Sequence, residues 1–536
     1  MSHGRSGVVA SKPRQAQHGP VPLASGQSAR PHKGATSAAS GACFASTLSQ
    51  RRKTTVKTAT ILAAALACGL AVVGSASPQT EPRGGQPAPG SKPSVADLDY
   101  QVKYQRAFEA VLWSMPAIGS YGFIRGTQEL GAGDNTILAW STPARPNVEL
   151  LTANNVTPYI LASTDLRKGP VVVEIPAATD KASLYGQIVD HWQITIADIG
   201  PSGIDEGNGG KILLTPPGYQ HPVPAGYIEV KSASYRVVFA FRSIKSATAT
   251  TEDAYAYSKT LKMYYLNDPK PTRFVDPSEM RYSTLPFYDE RWFDDLYAIV
   301  SVENVDPRDK VMMGMLASLG IEKGKPFNPD AKTKQAMRQG AIDAYYYLMQ
   351  RFLNPTDPTR VWWKGKHWND GLFADPNREF VYVTADSIDL DNRADRYFVG
   401  VNYPKKLGAK PATQYLFALA DNNGKVLQAG KTYKFTMPAK VPVTQFWSLI
   451  VYDLETFAFI YNPLERAGLD SFDLPNMKRN SDGSTTLYFG PKAPEGLESN
   501  WIPTSGKAPL PTVRIYGGTE EFWNRSWEMP DVELVN

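Results

Sequence analysis

The stretch Val441 to Asp453, Val-Pro-Val-Thr-Gln-Phe-Trp-Ser-Leu-Ile-Val-Tyr-Asp, places large apolar residues at both alternating parities. Successive side chains of an extended chain point to opposite faces, so this pattern requires a strand covered on both sides. Val443, Trp447, Leu449 and Val451 share one face, and Phe446, Ile450 and Tyr452 share the other. Thr444, Gln445 and Ser448 are left in need of hydrogen-bond partners. Such a strand is incompatible with a sheet solvated on one side and demands layers above and below it. A second segment repeats it upstream. Phe435-Thr-Met-Pro-Ala439 and Phe446-Trp-Ser-Leu-Ile-Val451 align without a gap on Val173-Glu-Ile-Pro-Ala177 and Leu184-Tyr-Gly-Gln-Ile-Val189, pairing Pro438 with Pro176, Ile450 with Ile188 and Val451 with Val189. The match predicts a duplicated β-unit in which Pro176 to Val189 and Pro438 to Val451 are equivalent strands.

The rest of the chain fits around these two units. Apolar spacing from Ala96 to Met115 predicts an amphipathic helix ended by Pro116. Short apolar runs then alternate with turn residues: Ile137 to Trp140, Tyr159 to Ala162, Val171 to Ile175, Leu184 to Val189, Ile212 to Leu214 and Tyr235 to Phe241. Helical spacing takes over at Arg291 to Val302, Lys310 to Leu319 and Ala331 to Phe352, followed by an irregular Trp-rich tail. Strand signals return at Tyr415 to Leu419, Tyr433 to Met437, Thr485 to Phe489 and Thr512 to Tyr516, with Asp421-Asn-Asn-Gly424 and Asn480-Ser-Asp-Gly483 as turns. The expected architecture is a β-rich α+β fold with two β-sandwich, jelly-roll-like domains. The expected boundaries are residues 96–266 for an N-terminal β-domain with a leading helix, 267–411 for a helical middle, and 412–536 for a C-terminal β-domain.

Arg51 to Lys57 is basic, Ala59 to Val73 is apolar, and Gly74-Ser-Ala76 is a small-residue cleavage site, the composition of a secretory signal peptide at residues 51–76. Its apolar run falls short of the roughly 20 residues that span a bilayer, so no stable transmembrane anchor is expected. Residues 1–76 read as a leader without fixed structure and residues 77–95 as a Pro/Gly/Ser tether. Some fifty polar residues precede the signal, which suggests that translation begins near Leu48. Export to the periplasm or medium, with cleavage near Ala76, is the expected fate. The first 76 residues hold 9 of the 57 Lys and Arg and none of the 52 Asp and Glu, so the remainder is slightly acidic and offers no basic stripe for nucleic acid. Both cysteines, Cys43 and Cys68, lie in the leader, which excludes disulfide and thiol chemistry after cleavage. Oligomeric state is not legible.

Several motifs together resemble a known protein family. Asn155-Val-Thr-Pro-Tyr159, Leu184-Tyr-Gly-Gln-Ile-Val-Asp-His-Trp192, Gly209-Gly-Lys-Ile-Leu-Leu-Thr-Pro-Pro217, Gln445 to Asp453, Asp482-Gly-Ser484, Glu498-Ser-Asn-Trp-Ile-Pro503 and Arg514-Ile-Tyr516 are similar to motifs of bacterial exported proteins. Those proteins pair domain of unknown function 1254 with domain of unknown function 1214. The resemblance covers about Ala96 to Val535 and implies jelly-roll-type domains joined by helices behind a signal peptide. It implies no reaction.

No Gly-x-Ser-x-Gly elbow, His-Glu-x-x-His pair, Ser-x-x-Lys dyad or Gly-x-Gly-x-x-Gly turn occurs, and no cofactor is indicated. Three histidines follow the leader: His191, His221 and His367. No two of them have ligand spacing, so no metal site is expected. Asp190 and His191, at the end of a buried strand, are the candidate catalytic pair, because a neighbouring carboxylate can retune an imidazole. Asp386, Asp389, Asp391 and Asp395 read as a solvated acidic loop rather than a calcium site. Tyr159, Trp192, Arg242, His367, Trp368 and Trp501 are the candidate ligand contacts, since aromatic rings stack on sugars and other ligands. The function expected is an exported protein that binds a small neutral or carbohydrate-like ligand in a cleft associated with its two β-domains. A hydrolase or lyase using Asp190 and His191, metal-assisted or not, and a structural envelope scaffold are the alternatives.

Overall fold

Leu98–Glu129 forms one 32-residue helix, α1, capped by Asp97, whose carboxylate accepts from the Tyr100 amide at 2.9 Å. The stop expected at Pro116 is corrected: Pro116 lies inside α1. A proline there removes one helical donor. Tertiary packing offsets the loss, with the Gln193 side-chain amide donating to the Pro116 carbonyl at 2.8 Å and every residue from Ala110 to Ser120 buried. A helix wrapped on all sides has no amphipathic period to read. The computed structural model describes residues 85–88 and 90–535. The signal peptide, both cysteines and the first part of the tether lie outside these residues.

Eight strands of the N-terminal region follow: β1 (Thr136–Ala139), β2 (Tyr159–Asp165), β3 (Val171–Ile175), β4 (Ala182–Asp190), β5 (Thr195–Ile199), β6 (Gly210–Thr215), β7 (Tyr227–Lys231) and β8 (Arg236–Lys245). One sheet runs β1-β2-β8-β4-β5 and is extended beyond β1 by Arg273–Val275. The other runs β3-β6-β7, with Lys262–Tyr265 beside β3. Alternate residues of both sheets, among them Ile160, Val173, Ile188, Ile212 and Phe239, share one buried cluster.

The middle contributes α2 (Arg291–Val300), α3 (Lys310–Ala317) and α4 (Ala331–Leu353). α4 packs along α1 through Gly340, where an added Cβ would stand 2.8 Å from that of Ala107. Downstream lie the short strand β9 (Trp368–Asp370) and α5 (Leu390–Val399). The acidic loop expected here holds for the exposed Asp386 and is corrected for the other three carboxylates. Asp389 caps α5, Asp391 accepts from the Tyr347 hydroxyl at 2.9 Å, and Asp395 is buried against Arg351. Asp389, Asp391 and Asp395 complete a helix end and two side-chain contacts.

The C-terminal strands are β10 (Thr413–Ala418), β11 (Tyr433–Met437), β12 (Val443–Asp453), β13 (Gly468–Asp470), β14 (Thr485–Gly490), β15 (Trp501–Pro503) and β16 (Pro509–Gly518). Their sheets run β9-β10-β16-β12-β13 and β15-β14-β11. Substituting β2 through β8 for β10 through β16 reproduces both orders, including the parallel pair β6/β7 in one region and β14/β15 in the other. The Trp-rich tail supplies Trp362, Trp363 and Trp368 to the C-terminal cluster around Phe435 and Trp447.

β12 is covered on both faces as expected: Trp447, Leu449 and Val451 join the C-terminal cluster, and Ile450 and Tyr452 join the central one. The gapless alignment is right for β3 and β11 and one residue out for β4 and β12. Ile188 points between its sheets, whereas Ile450 points out of them into the central core. A one-residue slip moves a whole strand to the opposite face. Val451 therefore corresponds to Ile188, and Asp453 to Asp190. The central core, built on α1, holds the helices and both β-regions in one compact unit, Gly90–Asn536.

Candidate binding cleft

In the N-terminal ladder β2 sets Tyr159 opposite Arg242 of β8, and in the C-terminal ladder β10 sets Tyr415 opposite Arg514 of β16. These are equivalent rungs of the repeated strand order. The Arg242 guanidinium lies 5.3 Å from the Tyr159 ring centroid, and that of Arg514 lies 4.2 Å from the Tyr415 centroid.

Arg514 is fully buried without a carboxylate. Its Nη2 donates to the carbonyls of Thr152 at 2.6 Å and Ala153 at 3.0 Å and to the Tyr452 hydroxyl, which itself donates to the Ala153 carbonyl at 2.5 Å. Asn154 continues the junction. Its side-chain amide donates to the Tyr516 hydroxyl at 3.0 Å, and its backbone amide donates to the Tyr159 hydroxyl at 2.7 Å. The loop before β2 thus ties Tyr159 of one β-region to Tyr516, Tyr452 and Arg514 of the other. Nε and Nη1 of Arg514 remain buried without partners.

Burial alone pushes the Tyr415 phenol up. Arg514 and Arg242 beside it outweigh burial and draw it below the ordinary phenol value. Tyr452 and Tyr516, in the same cluster, are raised by burial.

Tyr415 lines a cavity of about 600 Å³, inside the roughly 300–1,000 Å³ range of small-molecule sites, whose walls also include Tyr159, Tyr185, Gln187, Arg242, Arg396, Asn402, Tyr403, Lys406 and Lys410. Four cations and no Asp or Glu line it. Arg396 is fixed by donating to the Gly371 carbonyl and the Tyr403 hydroxyl, and Lys410 pairs with Glu520. Arg242 has no carboxylate within ion-pair distance among the described residues.

Of the residues expected to act, Tyr159 and Arg242 meet at this cleft. Asp190 and His191 do not line it. His191 is fully buried with neither ring nitrogen hydrogen-bonded, and the Asp190 carboxylate accepts from the Trp192 and Ile194 amides, both at 2.9 Å. Trp192 packs on Trp113 with centroids 4.8 Å apart. His367, Trp368 and Trp501 belong to the C-terminal region, where the Trp368 indole donates to the Pro530 carbonyl at 2.9 Å and that of Trp501 to Gly490 at 3.0 Å. Tyr415, Arg396, Tyr403 and Arg514 were missed by sequence reasoning. An arginine inside an apolar strand, as in Val513-Arg-Ile515, was the available signal. Among the described residues no group of three or more His, Cys, Asp or Glu is placed to hold a metal ion, and no helix is long and apolar enough to cross a membrane.

Two β-regions of like strand order around a helical core, with a basic aromatic cleft at their junction, define a β-rich protein with a repeated sheet topology. Residues 135–265 match the family described as Protein of unknown function (DUF1254), and residues 412–520 match Protein of unknown function (DUF1214). The chain thus pairs a DUF1254 match on its N-terminal side with a DUF1214 match on its C-terminal side. It is similar to the VPA0106 protein from Vibrio parahaemolyticus, with a TM-score of 0.48 and 19% identity, covering 81% of this chain and 100% of that one. An uncharacterized protein from Burkholderia cenocepacia aligns with a TM-score of 0.33 and 10% identity, covering 82% of this chain and 95% of that one. No curated protein matches the sequence.

Proposed function

We propose that the protein is exported and binds a small acidic ligand, such as a carbohydrate acid, in the cleft between its β-domains. The observation that carries this reading is a cleft lining with Arg242, Arg396, Lys406 and Lys410 and no carboxylate. It replaces the neutral ligand expected from sequence with an anionic one, because a guanidinium without a carboxylate partner is well satisfied by a ligand carboxylate. Tyrosines and amides beside these cations suit a hydroxyl-rich body. The basic and apolar segments at residues 51–76 support export. The shared apolar cluster of each sheet pair supports reading both β-regions as jelly-roll-like sandwiches from one duplication. Asp190 and His191 do not line this cleft, and a purely structural scaffold leaves the basic lining without a purpose.

Calorimetric titration of the full chain with uronate oligosaccharides and with their neutral counterparts tests the reading. Acidic oligosaccharides bind and neutral ones do not, and Arg242→Gln weakens binding by about 10-fold or more, the worth of one charge-assisted hydrogen bond. Equal affinity for the neutral sugars, or no binding by either, would refute it.

A further inference from the structure

A sugar hydrolase of the usual kind needs two carboxylates flanking the bond it cuts, and none lines this cleft. The cleft offers a different pair of tools. Tyr415 stands in its wall from β10, with the Arg514 guanidinium 4.2 Å over its ring and Arg242 beside its phenol. Two cations around one phenol favour its phenolate, and a phenolate is a proton acceptor. Arg242 has no carboxylate of its own among the described residues, so its charge is available to a substrate carboxylate. A carboxylate neutralised by a guanidinium acidifies the hydrogen on the carbon next to it, because the charge that develops on its oxygens is stabilised in place.

We propose that the cleft catalyses β-elimination on an acidic sugar chain, with Tyr415 as the general base and Arg242 as the residue that holds the uronate carboxylate. The proposal rests on the acidic-ligand reading above. Tyr415 removes the proton from the carbon α to the carboxylate. The electron pair of that carbon–hydrogen bond becomes the new carbon–carbon double bond as the β carbon–oxygen bond breaks. The departing oxygen leaves with the bond pair and takes up the proton from Tyr415. One chain becomes two fragments, one ending in a hydroxyl and the other in an alkene conjugated to the carboxylate. No water, oxidant or other reactant is consumed. Tyr159, Tyr185 and Tyr403 supply the rings on which sugar faces stack, and Gln187 and Asn402 supply hydroxyl partners.

The test uses the full chain and a panel of galacturonate, glucuronate and mannuronate oligosaccharides. Calorimetry follows binding, and the ultraviolet absorbance of the conjugated alkene, with fragment masses, follows turnover. The wild type forms the unsaturated fragment. Tyr415→Phe binds the same oligosaccharide but loses about 100-fold or more of the rate, the usual worth of a general base. Tyr415→His, which restores an ionisable base, recovers part of the rate and serves as the second variant if Tyr415→Phe does not fold. An α-deuterated substrate reacts more slowly. Binding without any alkene in the wild type overturns the elimination and leaves the acidic-ligand reading standing, as does Tyr415→Phe turning over at the wild-type rate. No binding by any of the panel overturns both.

Discussion

Arg242 and Arg514 occupy matching places in the two β-regions, each across a ladder rung from a tyrosine whose ring its guanidinium covers. Their partners differ. Arg514 is tied to the carbonyls of Thr152 and Ala153 and to Tyr452, whereas Arg242 lines the cleft. One member of the pair joins the β-regions, and the other faces the cleft.

That division predicts different costs. Arg514→Leu leaves the two carbonyls without their charged donor and lowers stability by at least about 1.5–3 kcal/mol, the worth of hydrogen bonds to a charged group. Arg242→Gln breaks no bond to a backbone carbonyl and gives up its contact with the Tyr159 ring, a loss of about 0.5–1 kcal/mol. Urea midpoints of the two variants provide the comparison.

Trp447→Ala removes a large ring from a strand covered on both faces, and Trp447 is only 4% exposed. The expected loss is about 3–5 kcal/mol. A midpoint unchanged from the wild type would contradict the packing of β12.

His191 carries a prediction about pH. Burial, and then the charge of Arg236, push its imidazole down from 6.5 to about 3. Burial pushes the neighbouring Asp190 up from 3.8 to about 7, against the pull of the Ile194 and Trp192 amides. The two signs oppose each other. On acidification from 6.5 towards about 3 the unfolded chain protonates His191 before the folded one does, so this residue removes stability. The folded state holds the Asp190 proton up to about 7, so its contribution is present below 3.8 and is lost as pH rises to about 7. His191→Leu abolishes the first effect alone. Neither ring nitrogen has a hydrogen-bond partner to lose, so the variant is nearly as stable as the wild type near neutral pH. At about pH 5 it gains on the wild type. Denaturant midpoints measured at both pH values decide this, and a variant that falls further behind in acid would contradict the account.

Much of the β-architecture was readable because period-two burial leaves a local trace. The predicted bounds Val171 to Ile175 and Tyr433 to Met437 are those of β3 and β11. The register between β4 and β12 was not readable, since both parities of these strands are apolar and a slip leaves the pattern intact. The second half of α1 escaped for the opposite reason: burial on every side erases the helical period, and Pro116 looks like a terminus unless the compensating Gln193 is known. The cleft was half legible. Tyr159 and Arg242 stand out as polar tips on a buried ladder. Tyr415 and Arg514 join them only through tertiary contacts such as that between Asn154 and Tyr516, 362 residues apart in sequence.

The most direct measurement is a crystal of the full chain soaked with a uronate oligosaccharide that the calorimetry shows to bind. The account predicts electron density for the sugar in the cleft, with its carboxylate on the Arg242 guanidinium and its rings against the tyrosines. Density at any other place, or a sugar in the cleft whose carboxylate points away from Arg242 into solvent, would contradict it.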